Sequence, residues 1–96
     1  MTMTDAAPAV DPDLVVVTGV RVLGRYILEL TFDTDEVKII DMESLMRGSV
    51  FKPMLTNYRV FCQVRVDQDA GTIAWPNGAD WAPDELYTKS KSAVPA

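Results

Sequence analysis

The stretch Arg25-Tyr26-Ile27-Leu28-Glu29-Leu30-Thr31-Phe32-Asp33 decides how this chain folds. Tyr26, Leu28, Leu30 and Phe32 fall on one side. Arg25, Glu29, Thr31 and Asp33 fall on the other, with Ile27 the exception. Alternation with a period of two marks a strand with one face buried and the other solvated. Upstream, Val15 to Leu23 is rich in β-branched residues and reads as a strand, with Gly24-Arg25 able to turn the chain. Downstream, Thr34-Asp35 is a short polar link, and Glu36 to Asp41 alternates again, which predicts Val37 and Ile39 inward. Three strands joined by tight links make an antiparallel meander.

After Asp41 the period changes. Asp41 can cap a short helix over Met42 to Arg47, ended by Gly48, and Asn57 can cap a second from Tyr58 to Gln63. Val50 to Leu55 reads as an apolar connection between them. Val64 to Asp67 and Thr72 to Trp75 read as a fourth and a fifth strand around the turn Gln68 to Gly71. Pro83 suits the first turn of a last short helix through Tyr87. The expected fold is therefore α+β: a five-stranded, mainly antiparallel meander sheet with short helices on one face. Residues 1–13 and 88–96 are expected to be flexible tails around one domain at residues 14–87.

The 96 residues are enough for one domain, and 48% hydrophobic with 24% charged is a globular composition. There is no histidine, so Ser-His-Asp and Cys-His chemistry cannot be assembled within the chain. Cys62 is the only cysteine, so no intrachain disulfide and no Cys-rich zinc site can form, and a reducing cytoplasmic setting fits. The net charge is −5, with nine cations that read as spread along the chain and interleaved with acids; direct nucleic-acid binding by this chain alone is not expected. No apolar run approaches the roughly 20 residues that span a bilayer, and the N-terminus lacks the basic and apolar regions of a signal peptide.

The most distinctive local chemistry is Trp75-Pro76-Asn77-Gly78-Ala79-Asp80-Trp81. As a recognition loop, it would offer two tryptophans as hot-spot anchors, with Asn77 and Asp80 orienting a partner's backbone. As a structural turn, Trp75 would plug the core, Asn77-Gly78 would supply the bend and Asp80 would hold loop amides. The size of the domain favours the structural role, with Trp81 the better interface residue. The interaction candidates are thus Trp75, Asn77, Asp80 and Trp81. Asp33-Thr34-Asp35 and Asp67-Gln68-Asp69 lack the spacing of a calcium loop and read as solvated turns. Cys62 is expected to be a small buried hydrophobe beside Phe61. No catalytic, cofactor-binding or metal-ligating residues are assigned. Val15 to Leu23, long and nearly uncharged, could pair with another chain if it lies at a sheet edge, which would make a homodimer.

Phe32-Asp33, Val50-Phe51-Lys52-Pro53-Met54-Leu55, Phe61 to Asp67, Gly71 to Asp80 and Pro83-Asp84-Glu85-Leu86-Tyr87 together resemble the bacterial domain-of-unknown-function family 2442. The most specific element is Trp-Pro-Asn-Gly-Ala-Asp with Pro-Asp-Glu-Leu-Tyr close behind. The resemblance implies a small α+β domain with a meander sheet. It supplies no catalytic residues. Some members add a helix-turn-helix, and some are encoded beside another small protein in a toxin–antitoxin-like pair. Members usually carry glycine in the first hairpin turn, where this chain has Asp33-Thr34-Asp35-Glu36. Ala82 stands where a helix-capping residue is expected. The functional expectation is a non-catalytic protein-interaction module, an antitoxin-like partner of a small adjacent-gene protein. The alternative is an accessory part of a DNA-associated transcriptional regulator.

Overall fold

A computed structural model describes residues 14–93. The meander is present as β1 (Val17–Gly24), β2 (Ile27–Phe32) and β3 (Val37–Asp41). Tyr26, Leu28, Leu30 and Phe32 are all buried and form the floor of the core, as their alternation predicts. A 3-10 turn (Ser49–Phe51) leads into α1 (Lys52–Thr56) and α2 (Tyr58–Phe61). These are followed by the hairpin β4 (Arg65–Asp67) and β5 (Thr72–Ala74), then α3 (Pro83–Lys89) and β6 (Lys91–Ser92). Met54, Phe61, Ile73, Trp75 and Leu86 come down from these elements onto the floor in one hydrophobic cluster.

The strands do not make one five-stranded sheet. The main sheet has the order β1-β2-β3-β6, and β4-β5 is a separate two-stranded sheet. The helical segment carries the chain off the sheet plane and over its inner face, so the hairpin that follows lands across the core. The place beside β3 is taken by β6, whose Lys91 pairs with Ile39. Residues expected to begin a tail at 88 thus extend α3 and form the edge strand; the expected tail at 1–13 and residues 94–96 lie outside the described residues.

One loop corrects the reading of β3. Phe32 N–H donates to Glu36 O, and Asp35 N–H donates to Phe32 O, which closes a three-residue loop over Asp33, Thr34 and Asp35. Asp35 takes the left-handed position at φ 69, where a glycine is the common choice. A two-residue link would have set Val37 opposite Phe32. The extra residue shifts the register by one, and such a shift turns every side chain over. Thr31 therefore pairs with Val37, Leu30 with Lys38 and Leu28 with Ile40. Ile40 is buried and Lys38 points to the core side, while Val37 and Ile39 lie on the other face with Ile27.

The helices are shorter than expected or displaced. Met42 to Met46 forms a single turn, with Asp41 Oδ1 accepting from Glu43 N–H and Met46 N–H bonding to Met42 O. The stretch Val50 to Leu55 is itself helical, begun by Pro53 near its N-terminus. Asn57 does cap α2, its Oδ1 accepting from Arg59 N–H, but the helix ends at Phe61. Ala82 offers no side-chain cap to α3, and Pro83, Asp84 and Glu85 in the first turn suit that end instead.

Candidate functional site

The Trp75 loop is built as structure. Trp75 is fully buried, and its Nε1–H donates to Phe61 O at 3.0 Å, joining β5 to the end of α2. Gly78 N–H returns to Trp75 O, and Trp75 N–H donates to Ala79 O. Asn77 Oδ1 accepts from Ala79 N–H while its Nδ2 donates to Val50 O, tying the loop to the 3-10 turn. The loop amide is thus held by Asn77; Asp80 is exposed and joins Ala74 through a backbone bridge. Trp81 is half-buried, its ring 5.1 Å from Phe51, and its carbonyl accepts from the Thr72 hydroxyl. Of the four candidates, Trp75 has no surface to offer. Asn77 meets Val50, Trp81 meets Phe51, and Asp80 is exposed beside Ala74.

The two Asp-x-Asp runs also serve the fold, the first by tying the chain entering β1 and the second by closing a turn. Asp33 Oδ1 accepts from Val16 N–H, and Asp67 Oδ1 accepts from Asp69 and Ala70 N–H. Among the described residues, no group of three or more Cys, Asp or Glu is arranged to hold a metal ion. Cys62 corrects the expectation of burial. It follows α2 on the outward side, exposed, because Phe61 takes the inward position beside it.

The sequence reading passed over a different feature. Residues 44–66 hold Arg47, Lys52, Arg59 and Arg65 and none of the 14 acids. The cations are therefore not evenly interleaved. All four are exposed, and none forms an ion pair among the described residues; the ion pairs there are Arg21–Glu29, Arg25–Glu43 and Lys89–Glu85. The same segment exposes Val50, Leu55 and Tyr58, three of the six exposed large hydrophobics among the described residues. Counting acids as well as bases in a sliding window would have found it.

Where Tyr58 of this segment meets the β1–β2 turn lies a notch of about 330 Å3 lined by Arg25, Tyr26 and Tyr58. Tyr26 is set there by the β1–β2 turn at φ 56, an uncommon position for a bulky residue. Packing holds it: its hydroxyl donates to Leu55 O at 3.0 Å, and its ring meets Tyr58 and Phe61 edge-on at 5.4 and 4.9 Å. Arg25 reaches over the Tyr26 ring, 5.9 Å from its centroid, and pairs with Glu43 at 3.3 Å.

The family model for Protein of unknown function (DUF2442) matches residues 17–92, from the first strand through the last. The chain belongs to the DUF2442 family. The match runs through α3 and β6. Comparisons with curated proteins and with solved structures return no match. No helix among the described residues is long and apolar enough to cross a membrane.

Proposed function

We propose that this DUF2442 domain is a non-catalytic interaction module that docks another small protein, in an antitoxin-like role, within the reducing cytoplasm. The observation that carries the reading is the segment 44–66, where unpaired cations and exposed apolar side chains occur together, Lys52 and Leu55 on α1 and Tyr58 and Arg59 on α2. Exposed arginine and tyrosine are residue types enriched at interface hot spots. The packing beneath supports it: Trp75, Phe61 and Met54 are fully buried, so α1 and α2 are set on a firm base. Asn77 joins this segment through its bond to Val50, and Trp81 through its ring contact with Phe51.

The test is co-expression of the full chain with the small protein encoded beside it, followed by light scattering on the purified material. A defined complex supports the reading. Separate elution of two folded proteins, at concentrations well above micromolar, overturns it.

A further inference from the structure

We propose that a second copy of this chain docks on the outer face of the main sheet, across a twofold axis through Ile39. This goes beyond the docking role above, because it uses the side of the sheet turned away from the core. The strand register places the residues. Arg21, Glu29, Ile39 and Lys91 stand in one row across β1, β2, β3 and β6, with Ile27–Asp41 and Thr31–Val37 as the rows on either side. Leu28, Leu30 and Ile40 alternate with them and are buried, so these rows lie on the outer face. An antiparallel sheet face left to water commonly alternates to polar residues. This one carries Ile27, Val37 and Ile39, which are half-buried yet belong neither to the core cluster nor to the hydrophobics packed against it. A hollow of about 500 Å3 opens beside them, its lining including Ile27, Ile39, Asp41, Leu45 and Lys91.

Charge selects a second copy. Arg21, Glu29, Asp41 and Lys91 make this face neutral on a chain that is −5 overall, so it is where two such chains repel least. Arg21 and Glu29 pair with each other at 3.1 Å. Asp41 and Lys91 are exposed, and neither forms an ion pair among the described residues. Their positions answer each other across a twofold. Asp41 lies about 7 Å from Ile39 along β3, and Lys91 lies beside Ile39, about 5 Å away on the next strand. A twofold lying in the interface plane over Ile39, and bisecting that right angle, exchanges the two directions. It brings Asp41 of each copy onto Lys91 of the other and stacks Ile39 on Ile39. The strands of the two copies then cross at roughly 90°, one of the two packings that sheets adopt. Such a contact is self-complementary and closes at two copies.

The experiment is sedimentation equilibrium of the full chain over about 1 to 300 μM, where association shows as mass rising with concentration. The expected result is a monomer–dimer equilibrium with no larger species. Lys91→Glu and Asp41→Lys each set like charges together twice and should weaken the dimer about tenfold or more. Mixed in equal amounts, K91E and D41K should recover the parent's affinity, since each supplies the charge that the other lacks. Ile39→Lys should leave a monomer. Far-UV circular dichroism at the lowest concentration checks that each variant is folded. Asp41→Asn keeps an acceptor for Glu43 N–H, so it tests the charge apart from that bond and should also weaken the dimer. A chain monomeric over the whole range, a dimer indifferent to I39K, single variants not rescued by mixing, or larger ladders each overturns the proposal. So does a small co-expressed protein that binds this face of a chain that is monomeric alone.

Discussion

The Tyr87 hydroxyl donates to Glu36 Oε1 at 2.6 Å, across 51 residues of chain. The three-residue loop after Phe32 makes this contact possible, because it turns Glu36 and Lys38 to the same face as Phe32. The Tyr87 ring meets Phe32 edge-on at 5.1 Å and lies under Lys38 Nζ at 3.8 Å, while Lys38 also donates to Tyr87 O at 2.6 Å. α3 is thereby locked to the loop end of the β2–β3 hairpin.

Tyr87→Phe should keep the fold and cost about 1 kcal/mol, since the lost bond is charge-assisted but partly solvated. Urea denaturation of the two proteins at neutral pH measures it. The pH dependence has a definite sign. The Tyr87 hydroxyl, and then Thr34, hold Glu36 below its ordinary carboxylate value. That stabilisation is complete above the ordinary glutamate pKa and is lost as pH falls through the depressed folded value. Glu36 in turn raises Tyr87 above the usual phenol range, so the alkaline loss comes as pH rises through that raised value. In Y87F the acid limb of stability against pH should be shallower.

Trp75→Phe should cost about 2 kcal/mol, combining lost volume with a Phe61 carbonyl left without its donor. Trp75→Ala should cost about 4 kcal/mol, enough to unfold much of a small domain. Chemical denaturation followed by far-UV circular dichroism separates the two.

Gly71→Ala should destabilise by about 2 kcal/mol. Gly71 sits at φ 69, and a Cβ there would stand 2.8 Å from Val16 Cγ1, so backbone and packing both object. Asp35→Gly should act the other way. It relieves a left-handed aspartate in an exposed turn and should stabilise by about 0.5 kcal/mol, read as a raised midpoint in thermal unfolding.

Cys62 should react with a thiol reagent in the native protein, one equivalent without denaturant, and Cys62→Ser should leave stability within about 0.5 kcal/mol. Slow labelling that accelerates only on unfolding would contradict the exposed position.

The floor of the core was readable in the sequence because Tyr26, Leu28, Leu30 and Phe32 alternate inside one strand, where the period alone determines the face. β3 was not, because its face depends on the number of residues in a loop that lacks its customary glycine. Cys62 was misread for a related reason: in a helix as short as α2, one turned residue separates inside from outside, and Phe61 wins the inside by size. The Trp75 loop was readable as a turn from Asn77-Gly78, and its role in the core follows from Trp75. The basic segment was visible all along, but only to a count of what is missing between Glu43 and Asp67.

The bond from Val17 N–H to Gly71 O, 2.9 Å long, has a consequence for assembly. The small hairpin acts as a stopper on the large sheet, covering the opening residues of its outermost long strand. The regular pairing of that strand with β2 runs only from Gly19 to Val22 before the next irregularity. A ladder of copies growing from this side would meet a strand bent by an irregularity near each end, a poor template for runaway stacking.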